Sequence, residues 1–303
     1  MNIDFPEHLF NPEKNILIYE NSIENGKKIA SNKNILFCGI VRNSEKVIEK
    51  NILRIHKTGK YFKNYNIFVY ENNSTDNTKS ILTTLKNDKT IVVIDKDDPN
   101  DYLSKVEQGI DNNHQHRCKA LCEYRNKYME FIDSTQSSYD YICIIDLDLK
   151  GGWSYDGFYN SISHIEKKED IACVSAYGIL AEYTGTLDLE NINSQNYVMY
   201  DSLAFRPTGF SGPLYPNIQS SFNFIKCNRG EYPITVDSNF NGLAIYKTKF
   251  LKNKRYSSRI WPHGEVDPDH VIMHEQIRTQ HNAIILMNPN MIVSYSHHQY
   301  SRE

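Results

Sequence analysis

No run of apolar residues in this 303-residue chain approaches the roughly 20 that span a bilayer, so no integral membrane segment is expected. The opening Met1-Asn2-Ile3-Asp4-Phe5-Pro6-Glu7 has neither the basic start nor the apolar core of a secretory signal. The expected compartment is therefore cytoplasmic. There is no cationic excess: net charge is −3 and the pI is near 6.4, which argues against a nucleic-acid partner bound by bulk charge. There is no cysteine framework either. The six cysteines are scattered, and Cys38, Cys143 and Cys173 lie inside apolar stretches, as buried free thiols would. Internal repeats and low-complexity linkers are also missing. What remains is a chain of 40% hydrophobic residues and 21 tyrosines, enough for one large α/β domain whose aromatics can line a polar ligand site.

The most informative stretch is Tyr141-Ile142-Cys143-Ile144-Ile145-Asp146-Leu147-Asp148-Leu149. A short continuous apolar run reads as a strand buried on both faces. Side chains alternate along a strand, so Asp146 and Asp148 are expected to point the same way at its C-terminal end. Two adjacent carboxylates repel unless a cation joins them. Oxygen ligands at an open strand end suit Mn²⁺ or Mg²⁺ shared with phosphate oxygens. An isolated Asp-x-Asp is more often a pair of solvated acids entering a turn; the surrounding pattern decides between the two.

That pattern is an alternation of strands and helices. Strands are expected at 34–41, 65–71, 90–95 and 141–145, and helices at 20–31, 44–58, 76–86 and 115–133. Residues 1–19 and 96–113 read as irregular. The second half has a helix at 155–167, strands at 171–176, 240–246, 283–287 and 291–295, and a helix at 268–280. Residues 183–235 show no period, as binding loops or disordered segments do. The fold class expected is α/β, a mostly parallel Rossmann-like sheet flanked by helices. Ligands in such sheets bind beyond the carboxyl ends of the strands, where Arg42, Glu71, Ser74, Asp76, Asp95, Asp146 and Asp148 fall.

Four stretches, in order, resemble those of GT-A glycosyltransferases. They are Ile67-Phe68-Val69-Tyr70-Glu71-Asn72-Asn73-Ser74-Thr75-Asp76, the helix Arg117-x-x-x-Leu121-x-x-x-Arg125-Asn126, Asp146-Leu147-Asp148, and Phe240-Asn241-Gly242-Leu243-Ala244-Ile245-Tyr246. The helix is most similar to that of the fungal capsule-associated mannosyltransferase-like group. The resemblance spans about residues 34–298. It implies a single GT-A domain, with a nucleotide-binding half at 34–150 and an irregular acceptor-side half at 151–303. It also implies transfer of a sugar from a UDP- or GDP-linked donor to a hydroxyl of a glycan or glycoconjugate.

Site residues follow from the same resemblance. Glu71 and Asp76 match positions that contact the base and ribose of a nucleotide-sugar, Ser74 joins them as a nucleotide-sugar contact, and Arg42 matches the basic residue after the first strand. Arg117 and Arg125 match the nucleotide-side helix, and Gly242 the glycine of the acceptor-side strand. Asp148 would bind the metal directly and Asp146 lie nearer the ribose or bind through water. His297 would complete the metal shell in preference to His298. If the anomeric centre is inverted, a carboxylate must take the acceptor's proton. Asp269 is the first candidate and Glu265 the second, although Asp267-Pro268-Asp269 is equally a good helix start. His114-x-His116-x-Cys118-x-x-x-Cys122 fits no usual zinc spacing and reads as packing. His270-x-x-x-His274 with Glu275 lacks the zinc-protease order. A nucleotidyltransferase is the first alternative, disfavoured because Ile40-Val41-Arg42-Asn43-Ser44 carries no glycine-rich basic loop. A non-catalytic carbohydrate-binding protein is the second, and it would not need the Asp pair.

Overall fold

The computed structural model describes residues 4–98, 101–107, 113–181, 186–188 and 197–299. Eight strands build the main sheet: β1 (Asn34–Val41), β2 (Asn64–Glu71), β3 (Thr90–Ile94), β4 (Tyr141–Ile145), β5 (Ile171–Ala181), β6 (Ile234–Ser238), β7 (Leu243–Lys247) and β8 (Ile284–Ser294). Their order across the sheet is β3-β2-β1-β4-β7-β5-β8-β6, with short pieces at Gly152–Trp153, Tyr197–Met199 and Arg206–Pro207 completing it. The first four are mutually parallel; β7 runs antiparallel to both β4 and β5, and β8 runs parallel to β5. The helices are α1 (Ile16–Ala30), α2 (Ile48–Gly59), α3 (Thr78–Leu85), α4 (Tyr102–Glu107), α5 (His114–Ser134), α6 (Tyr155–Ile165), α7 (Pro216–Phe222) and α8 (Asp269–His281). Among the described residues, no helix is long and apolar enough to cross a membrane. All six cysteines are free and buried.

The alternation in β4 divides the core in two. Ile142 and Ile144 pack with Tyr128 and Met129 of α5 on one face, while Tyr141, Cys143 and Ile145 pack with Ile52 of α2 and Phe158 of α6 on the other. Burying both faces is what makes the strand read as a continuous apolar run. It also sets the parity carried into residues 146–149, where Leu147 and Leu149 join the second face.

Several sequence expectations shift for identifiable reasons. α1 begins at Ile16, inside the stretch expected to be irregular. It buries Tyr19, Ser22, Ile23, Gly26 and Ala30 and meets α6 so closely that a Cβ on Gly26 would lie 1.8 Å from the Tyr159 carbonyl oxygen. The two strands expected on either side of Asn288-Pro289 are one, β8, because the register shifts between Asn288 and Ile292 and the proline sits in that irregularity. The aperiodic region contains α7 and the Tyr197–Met199 strand paired to β5. Residues 183–185 and 189–196 of it lie outside the described residues, as do 99–100 and 108–112 of the 96–113 loop, in which α4 forms.

The buried face of α8 carries His274, whose Nδ1 lies 2.9 Å from the Ser238 hydroxyl and whose Nε2 lies 2.8 Å from the Tyr246 hydroxyl. Burial, with help from Arg278, pulls its pKa down from 6.5 to about 3. The unfolded chain takes up this proton near pH 6.5 and the folded chain does not, so this group removes stability as pH falls below that value. His274→Gln should therefore lower the slope of urea-derived stability against pH, between about 6.5 and 5, by about 1.4 kcal/mol per unit. Parallel curves would show that the imidazole already titrates inside the fold.

Candidate active site

β4 ends one residue before Asp146, whose N–H donates to the Gly242 carbonyl at 2.9 Å and ties the strand end to the turn entering β7. That turn places Asn241 and Gly242 both at positive φ, 54° and 84°. The turn explains the glycine. It lies outside the cavity wall, with Tyr200, Leu149 and Val293 packed around it.

Asp146 and Asp148 share the wall of a cavity of about 390 Å³ at the carboxyl edge of the parallel strands. Each is held by a tyrosine: the Tyr200 hydroxyl donates to Asp146 Oδ2 at 3.1 Å, and the Tyr295 hydroxyl donates to Asp148 Oδ2 at 3.0 Å. The two tyrosine rings stack at 4.6 Å and 13°, so the pair positions both carboxylates as one unit. Burial raises the Asp146 pKa to about 7; Arg125 opposes the shift and the Asp148 charge adds to it.

Arg125 of α5 is the other anchor. Its guanidinium lies 2.6 Å from Asp269 Oδ2 through Nε and 3.4 Å from Asp146 Oδ1 through Nη2, packed against the rings of Phe240 and Tyr256. Burial alone would lower its pKa, but Asp269, Tyr128 and Asp146 outweigh it and hold the group charged. Asp269 is the first residue of α8, and Pro268 occupies the cap position. Asp267 is not the cap; its carboxylate pairs with Arg206 at 2.7 Å and accepts from the Trp261 indole at 2.9 Å.

The remaining sequence candidates divide. Arg42 and Arg117 line the cavity, Arg42 already paired with Asp101 at 2.9 Å. Glu71, Ser74 and Asp76 do not line it. They lock the turn between β2 and α3: Glu71 Oε1 accepts from the Ser74 N–H, Ser74 Oγ from the Asn43 N–H, and Asp76 from the Glu45 and Thr78 N–H groups. Glu265 also lies outside the cavity wall, so of the two candidate bases only Asp269 lines it. His297 is exposed and outside the wall; partial burial, with the charges of Lys150, Lys50 and Lys46 adding to it, lowers its pKa. Among the described residues, no three His, Cys, Asp or Glu side chains converge as metal ligands. His114 and Cys118 do come within 3.7 Å of each other.

The structure adds Tyr200, Tyr295, Asp201 and His270. Asp201 lines the cavity in a left-handed backbone conformation, φ 56° and ψ 40°. Burial raises its pKa to about 8, and the charges of Asp146 and Asp269 push the same way. A second, polar hollow of about 450 Å³ shares Tyr70, Asn72 and Tyr124 with the first.

Residues 34–267 match the family model described as Cryptococcal mannosyltransferase 1. The chain belongs to this family. No curated protein matches it. Among solved structures, GalNAc-T7 with UDP, GalNAc and Mn²⁺ superimposes with a TM-score of 0.51 at 12% identity, covering 88% of this chain and 44% of that one. The mannosyltransferase PcManGT from Pyrobaculum calidifontis, in complex with GDP-Man and Mn²⁺, gives 0.47 at 12% identity, covering 93% and 64%. Glucosyl-3-phosphoglycerate synthase from Mycobacterium tuberculosis, with Mn²⁺, UDP and glucosyl-3-phosphoglycerate, gives 0.46 at 13% identity, covering 92% and 77%. The chain thus spans less than half of the GalNAc-T7 chain and just under two thirds of PcManGT. The likeness is one of fold, and that fold is GT-A. In this family member the antiparallel β7 and the turn at Asn241-Gly242 complete the edge begun by the four parallel strands.

Proposed function

We propose that this chain transfers a sugar from a nucleoside-diphosphate sugar to a hydroxyl of a glycan or glycoconjugate, with a divalent ion held at Asp146 and Asp148. The observation that carries the reading is the tyrosine-braced pair of carboxylates facing one cavity beside a buried arginine. The donor set fits Mn²⁺ or Mg²⁺: hard oxygen ligands, two carboxylates, with phosphate oxygens of the donor to complete the shell. Burial is the main cause of the raised Asp146 pKa, and the neighbouring Asp148 charge adds to it; a cation between the two carboxylates would relieve that repulsion. His297 is not needed in that set. The bound ion supplies positive charge against the diphosphate as the glycosidic bond to it breaks.

This chain's own groups do the rest. Tyr200 and Tyr295 fix the two carboxylates, and the ion pair with Arg125 orients Asp269. In an inverting transfer, Asp269 accepts the acceptor hydroxyl's proton. Arg42 and Arg117 supply charge at the diphosphate side. The polar hollow around Tyr70 and Tyr124 would accommodate the nucleoside, in keeping with a donor bound by the 34–150 half and an acceptor by 151–303.

Thermal shift with UDP, GDP and CDP, each with and without Mn²⁺, tests this. One diphosphate should stabilise the protein only with metal present, by about 2.7 kcal/mol at a hundredfold excess over Kd. A response to nucleoside triphosphates alone would make the protein a nucleotidyltransferase, and sugar binding without nucleotide or metal would make it a carbohydrate-binding protein.

A further inference from the structure

His270 and His274 occupy the same helix one turn apart, 2% and 0% exposed. His274 has a hydroxyl partner for each ring nitrogen. His270 has none: both Nδ1 and Nε2 are buried without a hydrogen-bond partner among the described residues. Its ring is nonetheless fixed, lying flat on Phe240 at 3.7 Å and 10° with the edge of Tyr256 at 5.3 Å. It lines the cavity that holds Asp146, Arg125, Asp201 and Asp269. Most buried polar side-chain atoms in folded proteins are paired, and leaving one unpaired costs stability. Two orphaned atoms on one immobilised ring, in a cavity wall, point to a ligand that supplies the missing partners.

We infer that His270 contacts the donor substrate and recognises hydroxyl groups of the sugar being transferred, donating through one ring nitrogen and accepting at the other. This rests on the glycosyltransferase reading and extends it to the sugar end of the donor. The chemistry favours hydroxyls over phosphate. Burial, with the Arg125 guanidinium and His274 adding to it, holds the pKa well below 6.5, so the ring is neutral. A neutral imidazole offers one donor and one acceptor. Each sugar hydroxyl can answer either, whereas a phosphate oxygen would leave the accepting nitrogen facing an anion. Position agrees: the guanidinium beside His270 reaches Asp146, the carboxylate assigned to the donor, and the backbone N–H of His270 donates to Asp269 Oδ1 at 2.9 Å.

His270→Phe keeps a flat ring over Phe240 and removes both unpaired nitrogens. Calorimetric titration in Mn²⁺ of wild type and variant with GDP, GDP-mannose, UDP and UDP-N-acetylglucosamine reads the effect. For the nucleotide that binds, the variant's Kd for the diphosphate should stay within about twofold of wild type. The ratio of the sugar-nucleotide Kd to the diphosphate Kd should rise about tenfold, the value of one or two neutral hydrogen bonds. His270→Gln, which retains a donor and an acceptor, should recover part of that ratio. The ligand-free variant should melt no lower than wild type. An unchanged ratio, or an equal loss for diphosphate and sugar nucleotide, overturns the assignment. So does a large fall in melting temperature for His270→Phe, since it would mean the nitrogens are satisfied within the fold. If wild type binds none of the diphosphates with metal, the glycosyltransferase reading itself fails, and this one with it.

Discussion

Asp148→Ala should abolish transfer, by a factor of about 10³ or more, and remove metal-dependent nucleotide binding with it. A bound divalent ion contributes several kcal/mol against the charge of a departing diphosphate, and about 4 kcal/mol is a thousandfold in rate. Asp148 is one of only two carboxylates in the proposed donor set, so losing it halves the protein's share of the site. The fold should survive, because the side chain is partly exposed at the cavity wall and, among the described residues, its one side-chain hydrogen bond is from the Tyr295 hydroxyl. Asp148→Asn separates charge from geometry. It keeps an oxygen for Tyr295 yet should still lose the metal response, whereas Tyr295→Phe keeps the charge and should lose only part of the rate. Turnover assays and diphosphate titration with and without Mn²⁺ check all three, with melting temperature as the control. Wild-type turnover in Asp148→Ala would remove that residue from the chemistry.

The Asp pair was readable in the sequence because a strand buried on both faces announces itself as an unbroken apolar run and its period of two fixes where the next acids point. The strand–helix alternation of the first half was readable for the same reason. The turn after β2 was not. Glu71, Ser74 and Asp76 are residue types that bind ribose and also types that lock turns through backbone N–H groups, and local pattern cannot separate the two uses. Gly242 was legible as a special position, and the structure gives it a backbone reason, a positive φ in the turn entering β7. Tyr200 and Asp201 come from a stretch with no period, and their role depends on β7 inserting between β4 and β5, an order that no spacing reveals. His270 and His274 look alike on a helical projection; only the partners around each ring distinguish them.

Arg125→Met is the second large effect, and it falls first on stability. The guanidinium is 7% exposed and neutralises two carboxylates that approach it from different parts of the chain, Asp146 at the end of β4 and Asp269 at the start of α8. Removing one partner of a buried pair leaves the other charge without compensation, typically at about 3–5 kcal/mol. In a chain of this length that corresponds to a melting temperature lower by on the order of 10 °C. Arg125→Lys should rescue little, because an ammonium cannot reach both carboxylates as a planar fork stacked on Phe240 does. Asp269→Asn alone should fold, keep diphosphate affinity within a fewfold of wild type and lose about 10²–10⁴ in turnover, the range of a general base. Combining it with Arg125→Met removes one of the two stranded charges, so the double variant should be more stable than Arg125→Met and no more active than Asp269→Asn. Denaturant unfolding of the four proteins closes this cycle. Additive losses would mean that Arg125 and Asp269 do not act on each other. Loss of turnover in Glu265→Gln, with Asp269→Asn fully active, would move the base out of the cavity wall and to the loop before it.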